Sequence, residues 1–342
     1  MRKGWEYKKL NEVCEKGTSN IVINKLADNK GKYPLFGASG LVKNIDFFHQ
    51  DKPYIGIVKD GAGVGRVNIY PAYSSLVGTM QYIFPKEGYS IDFIKYFLVK
   101  LDLSHCVSGA TIPHIYFKDY GKENIPTPSL ATQLAIVTEL DKINELIRLK
   151  KEQLKDFDNL AQSLFYEMFG YPVENEKGWE VKKLKEIVSD NCSISYGIVQ
   201  PGDGVENGVP VVRPVDMTKT FVSRRGLKNT TKEISESYKR TILKGNEILM
   251  CVRGTTGLIS MATPELQGCN VTRGIAPIEC GPTCDKWFVF YQILNPAIQH
   301  HIAEYTRGIA LKQINMKDVR DIPLCLPPLP LQRLFAQRIE QI

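Results

Sequence analysis

The sequence lacks long hydrophobic runs and a secretory signal. No stretch of about 18 apolar residues occurs in the 342 residues, which argues against a membrane-spanning helix. The opening segment, MRKGWEYKKLNEV, has no apolar stretch after its basic residues, so it does not resemble an export signal. We therefore expect a cytoplasmic protein with no membrane partner, whose eight cysteines remain reduced thiols.

Signatures of metal, cofactor and catalytic sites are also missing. Cys280 and Cys284 are closely spaced and precede His300 and His301, but this arrangement fits no standard zinc spacing. The glycine-rich run 60–66, DGAGVGR, has the spacing of neither a P-loop nor a dinucleotide-binding loop. The motifs of zinc proteases, α/β-hydrolases and protein kinases are absent. We expect no metal, no cofactor and no catalytic residue, although missing motifs alone do not exclude catalysis.

The chain carries a weak excess of positive charge. Lysine and arginine number 44 against 37 aspartates and glutamates, a net charge of +7. The excess is +5 over residues 1–129 and +3 over 171–329, whereas residues 130–170 have a net charge of −2. Two basic segments therefore flank a slightly acidic one, an arrangement that suits a bivalent DNA-binding protein.

An internal repeat divides the chain. Residues 4–13, GWEYKKLNEV, recur as residues 178–187, GWEVKKLKEI, with seven of ten positions identical. Further along, Gly109, Lys118-Asp119, Pro128, Leu130 and Gln133 correspond to Gly308, Lys317-Asp318, Pro327, Leu329 and Gln332. The first pair of segments is offset by 174 residues and the second by 199, so the copies differ in internal length.

A single long helix is predicted between the two copies. Apolar residues alternate in steps of three and four over about four and a half heptads, which is typical of a coiled-coil seam. Such a helix of roughly 40 residues would be about 60 Å long, and its apolar stripe requires a partner helix. Packing of the helix on its own globular unit is the alternative. The predicted seam comprises Ile136, Leu140, Ile143, Ile147, Leu154, Phe157, Ala161, Leu164 and Met168, with Lys150 as its one polar member.

The segments on both sides of the helix combine strand and helix patterns. The clearest predicted strands are 54–58, 79–84 and 247–252, and the clearest predicted helices are 91–98 and 287–294. Glycine-rich turns follow two of these strands, at 60–66 and 253–257. The sequence therefore predicts an α+β fold with a first unit over 1–129, a spacer helix over 130–170, a second unit over 171–328 and the start of a second helix over 329–342.

The ordered duplication of these motifs resembles the specificity subunits of type I restriction-modification systems. No single motif is specific to that family, but their order is, and it covers essentially the whole chain. The features that carry the resemblance are the GWE-x-KKL-x-E openings, the stretches 109–115 and 308–314, the P-x-L-x-x-Q segments at 128–133 and 327–332, and the helix end at 164–170.

The resemblance implies a non-catalytic subunit with two target-recognition domains, each binding one half of a bipartite, asymmetric sequence in double-stranded DNA. It also implies methyltransferase subunits that dock on two antiparallel spacer helices, and a restriction and translocase subunit that joins for cleavage. The second helix begins near Leu329 and repeats the seam with Phe335, Ile339 and Ile342 before the sequence stops. We expect the unpaired seam over 147–168 to associate with a second copy or with a helix of another chain.

Basic residues of the two units are the candidates for DNA contacts. Arginine and lysine neutralise phosphates or bind guanine edges, and the glycine-led stretch 109–115 can approach DNA closely. An ordinary solvated surface is the alternative for each candidate. The candidates are Lys59, Arg66, Thr111 and His114 in the first unit, and Arg213, Arg224, Arg225, Arg253, Arg273 and Lys312 in the second.

Two other functions remain open from the residues alone. A self-contained DNA modification or restriction enzyme would be active without partner subunits. A coiled-coil scaffold between two protein-binding modules would use the same helix but would show no salt-dependent affinity for DNA.

Overall fold

One helix of 40 residues, Leu130–Phe169, is the longest element of the computed structural model, and it lies where the heptad pattern predicts it. The structure describes residues 5–109, 111–309 and 311–341. The Ser129 hydroxyl accepts a hydrogen bond from the third backbone N–H of the helix, and Gly170, at a φ of +76°, ends it. The chain divides within this helix into two units, Met1–Lys150 and Lys151–Ile342. Among the described residues, no helix is both long enough and apolar enough to cross a membrane.

Unit 1 contains a four-stranded antiparallel sheet. Its elements are β1 (Tyr7–Lys9), α1 (Leu10–Val13), β2 (Cys14–Thr18), β3 (Tyr33–Gly37), β4 (Gly40–Ile45), β5 (Tyr54–Val58), β6 (Val67–Tyr70), β7 (Ser75–Leu76), β8 (Met80–Pro85), α2 (Ile91–Lys100), α3 (Phe117–Tyr120), β9 (Asn124–Pro126) and the first part of α4 (Leu130–Phe169). The main sheet has the order β2-β8-β5-β6, β4-β3-β7 form a second sheet, and β1 pairs with β9. β5 is buried along its whole length because alternate side chains enter different cores: Ile55 and Ile57 enter one, Tyr54 and Val58 the other.

Unit 2 has a related arrangement. Its elements are the end of α4, then β10 (Glu180–Lys183), α5 (Leu184–Ile187), β11 (Val209–Val212), β12 (Lys228–Thr230), α6 (Lys232–Ser237), β13 (Ile248–Cys251), β14 (Ile259–Met261), β15 (Asn270–Val271), β16 (Ile275–Ile278), α7 (Lys286–Leu294), α8 (Pro296–Glu304), α9 (Met316–Arg320), β17 (Pro323–Leu326) and α10 (Leu329–Ile339). The sheet orders are β14-β13-β16 and β12-β11-β15, and β10 pairs with β17. The predicted strands and helices are therefore confirmed, as is the α+β class.

The repeated KKL-x-E motif forms the same one-turn helix in both units. The Glu12 carboxylate accepts a hydrogen bond from the Lys9 backbone N–H at 2.6 Å, and Glu186 does the same for Lys183 at 2.6 Å. Each leucine of the motif is fully buried. The short strand before each helix pairs with the strand that closes the same unit, β1 with β9 and β10 with β17. The motif therefore joins the beginning of each unit to its end.

The glutamine of the P-x-L-x-x-Q motif is buried near the start of a helix. In unit 1 the Gln133 amide oxygen accepts a hydrogen bond from the backbone N–H of Ser90, the N-cap of α2, at 2.9 Å. Its amide nitrogen donates to the carbonyl oxygens of Pro128 at 2.9 Å and Gly88 at 3.3 Å. One side chain thus satisfies three backbone groups and connects α4 to α2.

Unit 2 repeats this network with a different capping residue. The Gln332 amide oxygen accepts from the backbone N–H of Asp285, the N-cap of α7, at 2.9 Å. The Gln332 nitrogen donates to the carbonyl oxygens of Pro327 at 2.7 Å and Thr283 at 3.4 Å. The sequence echo around this glutamine therefore reflects a structural requirement that both units share.

Replacing Gln133 with alanine is expected to lower the free energy of unfolding of unit 1 by about 1–3 kcal/mol, because it leaves buried backbone groups without partners. Chemical denaturation followed by circular dichroism measures the effect. Leu134→Ala, at an exposed neighbouring position on α4, is the matched control and should change stability much less. Equal effects of the two substitutions would contradict the assigned role of the glutamine.

The seam of α4 is half-buried at its start, exposed in the middle and largely buried at its end. Every residue over 141–160 is exposed, whereas the end of the helix packs with α7 and α10 in the core of unit 2. The expectation of an unpaired seam over 147–168 is therefore wrong for its last part, because α7 and α10 cover it. Ile143, Ile147, Leu154 and Phe157 are exposed, Ile136, Leu140 and Leu164 are half-buried, Ala161, Met168, Phe335 and Ile339 are buried, and Ile342 lies outside the described residues.

Candidate nucleic-acid interface

The glycine-rich turns after β5 and β13 are equivalent in the two units. The Gly65 N–H donates to the Val58 carbonyl at 2.8 Å, and the Gly257 N–H donates to the Cys251 carbonyl at 2.9 Å. Gly65 and Gly257 have φ values of +84° and +85°, which glycine adopts without strain. Both turns therefore close a hairpin, β5–β6 in unit 1 and β13–β14 in unit 2, as the turn prediction requires.

The glycine-led stretches at 109–115 and 308–314 fold back against these turns. Gly109 has a φ of +90° and Gly308 a φ of +102°. A Cβ atom would lie 2.3 Å from the Ile112 carbonyl oxygen at Gly109, and 2.3 Å from the Leu311 carbonyl oxygen at Gly308. Only glycine fits either position, which explains why it recurs there. Ala110 and Ala310 lie outside the described residues.

Each glycine-led stretch forms a row of three cross-strand neighbours. In unit 1 His114 bridges antiparallel to both Asp60 and Ser108. In unit 2 Gln313 forms the same two bridges, to Arg253 and Arg307. Residues that face each other across antiparallel strands present their side chains on the same face. We call these sets the unit 1 row, Asp60-His114-Ser108, and the unit 2 row, Arg253-Gln313-Arg307.

The backbone hydrogen bonds that hold the three members of each row together are the same in the two units. Gly61 N–H donates to the Pro113 carbonyl at 2.9 Å, and Gly254 N–H donates to the Lys312 carbonyl at 2.8 Å. The outer pair of each row exchanges two bonds, at 2.9 and 2.8 Å between Ser108 and His114 and at 2.8 Å twice in unit 2. The same backbone platform therefore presents different side chains in each unit.

The rows differ in charge. Asp60 in unit 1 stands where unit 2 has Arg253, and the Lys59 ammonium lies 3.8 Å from the Asp60 carboxylate. Ser108 stands where unit 2 has Arg307. In the described parts of the chain, the Arg253 and Arg307 guanidinium groups have no hydrogen-bonding or ion-pair partner. The unit 2 row thus carries two unpaired positive charges, and the unit 1 row carries one carboxylate.

A cavity of about 250 Å³ lies beside the unit 2 row. Arg253 and Gln313 line it together with Arg273 and the half-exposed ring of Tyr196. Neither arginine has a carboxylate partner among the described residues. Two guanidinium groups beside one cavity, without a counter-charge, favour hydrogen-bond acceptors such as phosphate oxygens or the O6 and N7 atoms of guanine.

The remaining candidate DNA-contact residues differ in whether their side chains already have a partner within the protein. The Arg213 guanidinium binds both carboxylate oxygens of Asp216, at 3.0 and 2.8 Å, and therefore has a partner within its own unit. Arg66 donates to the Ala38 carbonyl and Arg224 to the Glu265 carbonyl, at 2.9 and 2.8 Å. Three further candidates, Thr111, Arg225 and Lys312, have exposed side chains.

Three residues that a metal ion could bind meet in unit 1. Ligand atoms of His105, Cys106 and Glu123 lie within 4.8 Å of one another, the only such group in the described residues. His105 and Glu123 already form an ion pair at 2.8 Å, and this hydrogen bond raises the pKa of His105. The pairing accounts for their proximity. All eight cysteines are free thiols, and burial raises the pKa of Cys14 to about 12 and that of Cys251 to about 11.

Sequence reasoning missed Arg307, Gln313, Asp60 and Ser108. A signal for three of them was available, because alignment of Gly109 with Gly308 pairs Ser108 with Arg307 and His114 with Gln313. The third position of the row is Asp60 in unit 1 and Arg253 in unit 2. Bridges between segments more than 50 residues apart bring these residues beside His114 and Gln313, and no local pattern predicts those bridges.

Comparison with known proteins identifies the family. The profile described as "Type I restriction modification DNA specificity domain" matches residues 2–156 and again residues 176–342. The specificity subunit of the type I restriction enzyme EcoBI from Escherichia coli is 23% identical over 259 residues, covering 69% of this chain and 54% of that protein. The MjaIX specificity subunit from Methanocaldococcus jannaschii is 23% identical over 289 residues, covering 76% of this chain and 64% of that protein. The chain thus spans between half and two thirds of these two relatives.

Solved structures share the fold. A crystal structure of a type I restriction-modification S subunit from M. genitalium has a TM-score of 0.58 at 16% identity, covering 99% of this chain and 91% of that one. A chain from a study of assembly and conformational transition in the type I system has a TM-score of 0.52 at 18% identity, covering 99% and 90%. The resemblance read from the duplicated motifs is confirmed: this chain belongs to the type I restriction-modification DNA specificity family and carries its domain twice.

Proposed function

We propose that this chain is the non-catalytic, sequence-specific DNA-binding subunit of a type I restriction-modification complex. It reads a bipartite, asymmetric target in double-stranded DNA and directs adenine methylation and cleavage by partner methyltransferase and restriction subunits. A cytoplasmic location is part of the proposal, because the DNA and the partner subunits would be there. The observation that carries the proposal is the duplicated platform, which presents one backbone geometry with different side chains in each unit.

The duplication supports an asymmetric target for a physical reason. Identical recognition elements would bind identical half-sites and would favour a palindrome or a direct repeat. The two rows differ at all three positions, so their hydrogen-bonding groups differ as well. A long helix joins the two matched domains along the chain, and in other DNA-binding proteins the spacing of the recognition elements determines the spacing of the half-sites.

Removal of the two unpaired arginines beside the unit 2 cavity tests the DNA proposal. We expect Arg253→Ala/Arg273→Ala to reduce DNA affinity and to lower the slope of log K against log salt by about 1, because we assign a phosphate contact to Arg273 and each lost phosphate contact lowers that slope by about 1. Fluorescence anisotropy with the full chain and a labelled duplex, over a series of salt concentrations, measures both quantities.

Arg333→Ala/Arg338→Ala is the matched control, because it removes the same charge from exposed positions on α10. The control should leave the slope nearly unchanged. A wild-type chain without salt-dependent DNA affinity would refute DNA binding and favour a protein scaffold. Methylation by the purified chain with cofactor alone would instead favour a self-contained enzyme.

We propose further that the exposed seam of α4 binds an apolar helix, from a second copy or from a partner subunit. Leu146 and Leu160 are also exposed and lie beside the seam residues, so the apolar stripe is wider than the heptad positions alone indicate. Sedimentation of the purified chain distinguishes the two sources, because only self-association occurs without another protein.

A further inference from the structure

We propose that the two rows select bases, and that the unit 2 row recognises guanine whereas the unit 1 row recognises cytosine through Asp60. The inference rests on the proposed DNA function and assigns side chains to its two half-sites. The two rows are equivalent by their bridges and by their backbone hydrogen bonds.

The geometry of a row suits contact with consecutive base pairs. Facing residues on antiparallel strands alternate between Cα separations of about 4.5 and 5.5 Å. The Asp60–His114 and Arg253–Gln313 pairs are of the narrow type, and the outer pairs, which exchange two hydrogen bonds, are of the wide type. A row is therefore about 10 Å long, and at a rise of 3.4 Å per base pair it covers about three base pairs.

The presence of Asp60 in unit 1 and Arg253 in unit 2 at equivalent positions indicates whether this position contacts a base or a phosphate. The bridges place these two residues at the same position of the platform. A carboxylate at a phosphate-binding position would be repelled by the DNA backbone, whereas a carboxylate at a base edge accepts a hydrogen bond from the cytosine amino group. An arginine at that position binds guanine O6 and N7 in a bidentate manner. Base contact accommodates both residues, and phosphate contact accommodates only the arginine.

The surroundings of the unit 2 row agree with this division of roles. Arg253 and Arg307 flank Gln313 without any carboxylate in the row, so the row offers donors to guanine and a glutamine that can pair with adenine. Arg273 lines the neighbouring cavity but belongs to no row, and it is placed to bind a phosphate. In unit 1 the ammonium of Lys59, 3.8 Å from Asp60, balances the carboxylate that would face the DNA.

Transplanting one row into the other unit tests the inference. The variant R253D/R307S/Q313H gives unit 2 the side chains of the unit 1 row. The full chain selects from a library of duplexes with randomised positions, and sequencing of the bound fraction reports both half-sites. We expect guanine to be lost and cytosine gained over up to three adjacent positions of one half-site, with the other half-site unchanged. The reciprocal variant D60R/S108R/H114Q should alter only the other half-site, toward guanine.

A single substitution covers the case in which the triple variant does not fold. Arg307 is exposed and has no partner in the described residues, so Arg307→Ser is expected to fold normally. It should reduce discrimination in favour of guanine at one position by roughly 5- to 150-fold. The matched control is Arg240→Ser, which removes an exposed arginine of the same unit that is neither in the row nor a candidate DNA contact, and it should leave the selected sequence unchanged.

The outcomes separate this inference from the function on which it rests. A uniform loss of affinity across all sequences, or an unchanged half-site at normal affinity, would overturn base recognition by the rows and leave the DNA function standing. Absence of any selected sequence with the wild-type chain, in the presence of its partner subunits, would refute the DNA function itself.

Discussion

Replacing Phe335 with alanine is expected to lower the free energy of unfolding of unit 2 by about 3–5 kcal/mol, as truncation of a buried phenylalanine does. Phe335 is 0% exposed, and its ring centroid lies 5.6 Å from that of Phe165, 5.4 Å from Phe169 and 5.5 Å from Tyr291. The substitution removes aromatic contacts between α10, α4 and α7 and leaves a cavity among them. Tryptophan emission during denaturation reports the loss, because Trp179 and Trp287 belong to unit 2.

The neighbouring residue provides the control for this prediction. Leu334 lies on the same helix with 41% of its surface exposed, and Leu334→Ala should cost much less than Phe335→Ala. A Phe335→Ala variant as stable as Leu334→Ala would contradict the packing of α10 on the end of α4. The comparison isolates burial from any change in helix propensity, because both variants place alanine in α10.

Two carboxylates in the exposed seam are expected to weaken its association with a partner helix by about 10²–10⁴-fold. Leu154 is 63% exposed and Phe157 is 38% exposed, and burial of each side chain against a partner would contribute about 1.5–3 kcal/mol. Leu154→Glu/Phe157→Glu removes both contributions and places charge in an apolar contact. Analytical ultracentrifugation of the full chain, alone and with its partner subunits, measures the change in the dissociation constant.

The control adds the same charge to another face of the helix. Asn159→Glu/Ser163→Glu places two carboxylates at exposed positions of α4 outside the seam, so association should remain close to that of the wild type. If both variants weaken the association equally, the added charge alone explains the effect and the seam does not. A wild-type chain that stays monomeric at high concentration and binds no partner helix would contradict the proposed role of the seam.

Local patterns were sufficient for the secondary structure and the repeat. The strand at 54–58 and the helices beginning at Ile91 and near Trp287 lie where their apolar periodicity predicts them, because period and burial are properties of neighbouring residues. The 40-residue helix was equally visible as unbroken heptads. The burial of its last two turns could not be predicted, because the residues that pack on them belong to α7 and α10, more than 100 residues later in the chain.

The candidate DNA-contact residues also show which properties the sequence predicts and which only the structure reveals. From the sequence, Arg213, Arg253 and Arg273 were equivalent as basic residues near glycine or proline. In the structure Arg213 is held by Asp216, three residues away, whereas Arg253 and Arg273 share a cavity without a counter-charge. Pairing depends on which side chains meet across the fold, and spacing along the chain does not report it.

The sequence by itself determined that this protein is a duplicated unit joined by a long helix, and its ordered motifs were sufficient to identify the family. Only the tertiary structure decided which residues from distant segments of each unit meet in a row. Asp60 and Arg253 occupy one position of the platform because backbone hydrogen bonds from distant segments align them. These bonds join segments that are far apart in the sequence. Because the two copies differ in internal length, neighbouring residues alone do not reveal which segments will pair.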